Sequence, residues 1–325
     1  MLSKEHAKLG IAPIGWTNDD LPDLGGENTF EQCISEMALA GYSGCEIGNK
    51  YPLDPDILKP YLDIRGLTVC NAWFSSFFTS QPASVTEKAF IAHRDRLHAL
   101  DAKIIGASEQ GNSIQGRAVN VFGPDKPVYT DAQWDLVARG YNRLGKLAQE
   151  KGMTLTIHHH MGTGIQTAQE IDRLMAMTDP GLVFLLFDTG HLVCAGVDPK
   201  ALLNKHMHRI QHVHLKDVRA QVLDAARVVP GHNLAVGVPD GGFHGVAGDD
   251  FHQADGLFIE CVERKEFQDR IQQFGNAMAV ATEHIGVSAH AFGREVAISE
   301  ADFVSVAHFH QDLHEVGGQD RGDAF

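Results

Sequence analysis

Basic residues are scarce in this chain: 27 lysines and arginines stand against 42 aspartates and glutamates, a formal net charge of −15. Such a field repels phosphate backbones and anionic lipid, and no local basic patch offsets it, so nucleic acid and membrane surfaces are excluded as expected partners. Long apolar runs are also lacking. None reaches the roughly 18–20 residues that span a bilayer, and the first residues carry no apolar core of a signal peptide. The five cysteines (Cys33, Cys45, Cys70, Cys194, Cys261) show no C-x-x-C spacing, which argues against a zinc ribbon or a disulfide framework and suits a reducing cytoplasm. Missing too is a glycine-rich phosphate loop after the first strand candidate, where Ile14 to Asp20 reads I-G-W-T-N-D-D. An open doubly wound nucleotide-binding sheet is therefore disfavoured.

With 325 residues, 43% of them apolar, the chain is long enough for one large α/β domain. From Lys8 to about Val218, short β-branched runs alternate with longer amphipathic ones. Strands are expected at 9–16, 44–48, 68–74, 103–107, 154–159, 183–187 and 210–215. Helices are expected between them, as at 30–40, 86–100, 131–151 and 167–177. Asn28 or Thr29 can cap the first of these, Gly41 ends it, and Gly152 ends the long one. Seven mostly apolar strands separated by helices call for a parallel sheet covered by helices. A closed barrel needs eight, so the fold class expected is a (β/α)8 TIM barrel whose last unit is missing or disordered.

Residues 1–229 form the expected barrel domain, and 230–325 an atypical tail. Three leucines (Leu234, Leu257, Leu313) fall in that tail against 24 in the first 229 residues, and eight of the 19 histidines lie there. Helical periodicity is hard to find in it, and one short apolar run, 256–262, reads as a strand. An appended flexible segment and a reading-frame change in the gene both produce such a shift. Its abruptness favours the frame change.

In a parallel barrel the carboxyl ends of the strands face one mouth, where chemistry concentrates. Here those ends are polar: Trp16 to Asn18 (W-T-N), Glu46 in E-I-G-N-K, Glu109 in A-S-E-Q-G, then H-H-H-M, D-T-G-H and H-L-K-D. Three of them carry ligand-grade side chains. Strand alternation puts His158 and His160 on one face and His159 on the other. His160, furthest toward the mouth, is the preferred metal ligand, with His158 one pleat deeper, facing substrate or Asp188. Asp188 and His214 complete a set of oxygen and imidazole donors from separate strands, the pattern of a Lewis-acid divalent ion with open positions for substrate. Asp188 can alternatively cap the following helix. Gly190 is read as permitting a sharp turn that brings His191 into the pocket. Lys216 and Arg219 are candidates to hold substrate oxygens, as are Trp16 and Asn18, although rim charges in solvent have the same sequence appearance. Glu46 and Glu109, with His191 and His158, are candidate acid–base groups.

The segments Gly10 to Pro52 (G-I-A-P-I-G-W-T-N-D-D through C-E-I-G-N-K-Y-P), H-H-H-M-G-T-G-I-Q-T (His158 to Thr167), L-L-F-D-T-G-H-L (Leu185 to Leu192) and H-V-H-L-K-D-V-R (His212 to Arg219) resemble the inosose dehydratase family of myo-inositol catabolism. The resemblance spans roughly residues 8 to 229. It implies a xylose isomerase-like barrel and the dehydration of 2-keto-myo-inositol (scyllo-inosose) to a trihydroxycyclohexane-dione. It also implies Mn2+ or Co2+ and glutathione as cofactors. In the wider superfamily the metal is held by Glu, Asp, His and a final Glu. Asp188 and His214 match the middle two positions, and His191 matches a substrate-contacting histidine. The first position departs, since this strand carries histidines and no glutamate. The closing segment expected, similar to G-W-L-V-V-E-A-E-Q-D-P, is absent, and its nearest echo, G-L-F-I-E-C-V-E-R-K, offers Glu260.

For a polyol ketone, such a metal would steady an enediolate while a base takes the α-proton and an acid serves the β-hydroxyl. A sugar isomerase or epimerase on the same barrel would use the same chemistry and return the proton. A repair endonuclease of the related barrel class would need a basic groove that is absent. An inactive product of a damaged gene is the remaining alternative, because a barrel without its eighth strand leaves an open edge.

Overall fold

The computed structural model describes residues 8–228, apart from 20, 21, 24, 118, 217 and 219, together with the strand 257–260. Its strands are β1 (Lys8–Ile11), β2 (Gly44–Glu46), β3 (Thr68–Asn71), β4 (Trp73–Ser76), β5 (Ile104–Glu109), β6 (Thr154–His158), β7 (Val183–Asp188), β8 (Ile210–Leu215) and β9 (Leu257–Glu260). The helices are α1 (Phe30–Leu39), α2 (Pro55–Asp63), α3 (Ala83–Ala99), α4 (Asp131–Gln149), α5 (Ala168–Met177), α6 (Thr189–Cys194), α7 (Pro199–His206) and α8 (Ala220–Val228).

The sheet order is β3-β2-β1-β9-β8-β7-β6-β5-β4. Its two ends, β3 and β4, are consecutive in the chain and separated only by Ala72, so one interrupted strand closes the ring. The break lets the first piece pair with β2 and the second with β5. Parallel pairing holds from β4 through β8 and from β1 through β3. The eighth position differs. It is filled by β9, which runs antiparallel to both β1 and β8, where a parallel strand completes the usual barrel. This run lies inside the expected strand at 256–262; its direction was not legible.

Most elements follow their sequence signals. Thr29 caps α1 by accepting from the Gln32 amide, and Gly41 leaves it at φ +91°. Capping boxes start α4 (Thr130 with Gln133) and α5 (Thr167 with Glu170), each satisfying amides that the helix leaves orphaned. The first strand is shorter than expected because Pro13 cannot continue a ladder, and 13–15 form a 3-10 turn instead. The main core cluster lies between sheet and helices, including Ile34, Met37, Phe90, Leu97, Ile105, Tyr141, Leu144, Leu155 and Ile157, and a smaller one gathers Ile114, Val121, Met161, Cys194, Leu223 and Ala226. None of the helices in the described residues is long and apolar enough to cross a membrane. Residues 230–256 and 261–325, the rest of the expected tail, lie outside the described residues.

Candidate metal centre

Parallel register sets the site. Asp188, the last residue of β7, is paired with His214 of β8, and His158, the last of β6, is paired with Leu186 of β7. Three strand ends thereby deliver their side chains to one point. Asp188 Oδ2 lies 3.1 Å from His158 Nε2, 3.3 Å from His214 Nδ1, 2.9 Å from Lys216 Nζ and 4.0 Å from His191 Nε2. Its other oxygen accepts the His191 amide at 2.9 Å and so caps α6. The two readings of this aspartate therefore coexist: one oxygen caps, the other faces the cluster. His159, on the opposite side of its strand, accepts the Asp188 amide at 3.3 Å and steadies the strand end from behind.

Charges in this buried cluster are arranged asymmetrically. Burial favours the neutral form of an imidazole. It pushes His158 down to about 4 although Asp188 pulls the other way, and it takes His159 down to about 3, with the nearby His158 ring adding to the shift. His160 and His191 are held well below their ordinary range by burial first and by neighbouring rings second. Burial alone would raise the Asp188 carboxyl, yet Lys216 and the imidazoles of His191, His158 and His214 hold it well below the usual carboxylate range. The cluster thus presents an ionised carboxylate beside the neutral imidazoles of His158, His160 and His191.

That combination fits a divalent ion. His158, Asp188 and His214 each offer one ligand atom, all within 4.8 Å of one another, and all three side chains are buried. Two imidazoles and a carboxylate suit borderline first-row ions and leave positions open for substrate oxygens. A second group, Glu46, His212 and His214, meets the same spacing on the other side of His214.

The residues nominated from sequence separate into three sets. His158, His191, Asp188, His214 and Lys216 converge. Glu46 joins them from β2: its Oε1 lies 3.2 Å from His214 Nε2 and 3.5 Å from His212 Nε2. His160, the ligand preferred from sequence, stands one layer out, its ring 3.9 Å from that of His191 and 5.4 Å from that of His158. Its Nδ1 donates to the Met161 carbonyl at 2.9 Å. The deeper His158 takes its place in the compact group because Asp188 ends its strand level with the deeper pleat.

A second set lies elsewhere. Glu109 is buried with both oxygens occupied: Oε2 accepts from Ser76 Oγ and the Phe78 amide, and Oε1 from the amide and hydroxyl of Thr79 and the Gly111 amide. It fastens the turn after β4. Trp16 packs in the core, its indole N–H donating to Glu36 of α1, and Asn18 is buried nearby in sequence at 5% exposure. Gly190 is a residue of α6 with no left-handed backbone. Its lack of a side chain serves close approach: a Cβ there would meet Lys216 Cβ at 2.8 Å. The third set is outside the described residues: Arg219 altogether, and Glu260 for its side chain. The Glu260 backbone is paired with positions 8 and 212, the former where β1 begins.

Two residues were missed. Trp73, 40% exposed, sets its ring edge-on to His158 at 5.4 Å and to His160 at 5.6 Å. Asn71 donates to Glu46 Oε1 at 2.6 Å. Both flank the break at Ala72, and the signal was the polar and aromatic pair in N-A-W at the end of the third strand.

A family model described as xylose isomerase-like TIM barrel matches residues 34–254. The inosose dehydratase of Geobacillus thermodenitrificans is 62% identical over 227 residues, 70% of this chain and 76% of that enzyme. That of Clostridium beijerinckii is 57% identical over 243 residues, 75% of this chain and 81% of the enzyme. Among solved structures, a sugar phosphate isomerase/epimerase from Parabacteroides distasonis aligns with a TM-score of 0.52 at 14% identity, over 68% of this chain and 82% of that one. The IolI protein with a bound zinc atom aligns at 0.51 and 13% identity, over 65% and 73%; at such identities both speak for the fold alone. The strand ends that build the pocket are carried on a barrel of the xylose isomerase-like class, and the chain belongs to the inosose dehydratases, a family of hydro-lyases.

Proposed function

We propose that this protein dehydrates 2-keto-myo-inositol to a trihydroxycyclohexane-1,2-dione. The observation that carries the reading is the convergence of His158, Asp188 and His214 on one point, in a chain 62% identical over 227 residues to a known inosose dehydratase. We assign the metal to these three residues, with Mn2+ or Co2+ as the ion and glutathione as a further cofactor on the strength of the family resemblance. Bound there, the ion supplies Lewis-acid stabilisation of the negative charge that develops on the ketone oxygen.

The chain's own groups handle protons. Loss of water breaks the C–H bond beside the ketone and the C–O bond one carbon further. The electron pair becomes a C=C bond, the hydroxyl leaves as water with a proton from an acid, and the resulting enol tautomerises to the dione. His191 and His160, neutral near pH 7 and in ring contact, stand beside the metal group and can take the α-proton and return one to the leaving hydroxyl. Lys216, with its ammonium on Asp188 and its side chain 23% exposed, is placed to hold a substrate oxygen. Trp73 offers an apolar wall to a ring face. Arg219 and Glu260 remain candidates for substrate and metal contact, and Asn18 for the mouth, as read from sequence.

Incubation of the full chain with scyllo-inosose and Mn2+ or Co2+ should produce dione absorbance, with and without glutathione defining the role of the latter. Epimerisation of a ketose without growth of that absorbance would replace the reading with an epimerase. The composition change near Val229 favours a second reading, an inactive product of a damaged gene. Residues 1–229 are then the barrel and 230–325 the product of another frame. Recovery of a G-W-L-V-V-E-like segment by translating the other frames near codon 229 supports it, and turnover in the assay removes it. Cys33, Cys45, Cys70 and Cys194 are buried, and the cytoplasmic setting read from sequence is kept as part of this reading.

A further inference from the structure

His214 stands between two carboxylates, with Nδ1 3.3 Å from Asp188 Oδ2 and Nε2 3.2 Å from Glu46 Oε1. An imidazole that binds a metal keeps one N–H and offers one lone pair, so its two sides cannot serve the same purpose. Which side takes the proton is decided further out. The Gly106 amide donates to Asn71 Oδ1 at 2.6 Å, which fixes the direction of the Asn71 side chain. Its NH2 group then points at Glu46 Oε1, 2.6 Å away. In the second ligand-spaced group, Glu46 Oε1 is thus already engaged by those amide hydrogens. An imidazole N–H suits the remaining lone pair of the same oxygen.

We infer that Asn71 and Glu46 form a positioning pair that holds the proton of His214 on Nε2 and thereby turns its Nδ1 lone pair toward Asp188 for metal binding. The inference rests on the metal reading above. The Nε2 contact with Glu46 has hydrogen-bond geometry at 3.2 Å, while the 3.3 Å between Nδ1 and Asp188 Oδ2 is close to the roughly 3 Å that separates two ligand atoms each about 2.1 Å from one ion at near right angles. Carboxylates in this outer position fix ring orientation and raise the basicity of a ligating histidine. Glu46 on this view touches no reacting atom.

The test is titration of the full chain with Co2+ alone, followed by visible absorption, with nitrogen-15 NMR of labelled histidine reporting the tautomer of His214. Glu46→Ala should weaken Co2+ binding by about 100-fold, Glu46→Gln by about tenfold and Asn71→Ala by less. The His214 signals should shift from a single Nε2–H form to a tautomer mixture in all three. Asp188→Asn serves as reference and should abolish binding. If Asp188→Asn binds Co2+ as tightly as the parent, the metal reading itself fails. If that variant loses Co2+ while Glu46→Gln and Asn71→Ala bind within twofold of the parent with an unchanged tautomer, only the positioning pair is overturned. Should Glu46→Ala fail to fold, the other two variants decide.

Discussion

Asp188 and Glu109 are carboxylates at strand ends, 0% and 1% exposed, and they do opposite things. Around Glu109 every donor is a backbone amide or a hydroxyl, and five of them saturate its two oxygens. Around Asp188 the neighbours are an ammonium and three imidazoles, groups that can move, exchange a proton or accept an ion. We propose that a buried carboxylate met by fixed neutral donors acts structurally, whereas one met by titratable and ligating groups is a candidate reaction centre.

The sharpest way to break this comparison is to neutralise each carboxylate in turn. Asp188→Asn should lower dehydratase turnover by about 10³-fold or more, because on the proposed reading the ion that stabilises the developing charge is lost with it. Glu109→Gln should instead cost about 2–4 kcal/mol of stability, read by urea unfolding, while the folded fraction keeps its Co2+ affinity. Loss of Co2+ by the glutamine variant at a temperature where it is folded would erase the distinction. His191→Asn sharpens the Asp188 side: kcat should fall by about 10²–10⁴-fold with Co2+ affinity nearly unchanged, and a parallel loss of affinity would move His191 into the ligand set.

Acid acts on the Asp188 side through its histidines. The unfolded chain protonates its histidines below about pH 6.5, whereas the folded chain resists until about 4 at His158 and about 3 at His159. Stability therefore falls as pH drops through 6.5, by on the order of 2 kcal/mol per such ring at pH 5. Replacing His158 by Asn should flatten the profile measured by urea unfolding at pH 7 and 5. The smallest effect is expected from Gly190→Ala, whose methyl group meets Lys216 Cβ and should cost about 1–3 kcal/mol, with turnover reduced because Lys216 is displaced from Asp188.

Much of the barrel was legible because its signals are local: capping residues, glycines after helices, and polar clusters closing apolar strands. The three histidine-bearing strand ends were legible for the same reason. Glu46 and Glu109 were not separable, since what distinguishes them arrives from distant segments, His214 from 168 positions away for one and Ser76 from 33 for the other. His158 and His160 share a face by alternation, and only the register of β6 against β7 says which is level with Asp188. Asn71 and Trp73 hid in a strand that reads as continuous, whose break at Ala72 re-aims both. The direction of the closing strand has no periodic signature at all.

Gly106 is itself neither a proposed metal ligand nor a proposed substrate contact. Yet a methyl group at that residue would come within 2.7 Å of Asn71 Nδ2 and 2.9 Å of its Oδ1, evicting the amide that holds Glu46. The pocket is thus defined in part by an empty volume on a different strand, and a change at Gly106 would act as a change at Glu46 without altering any group there. Sequence comparisons restricted to chemical residues would pass over that position, although it limits which relatives of this barrel can keep the same site.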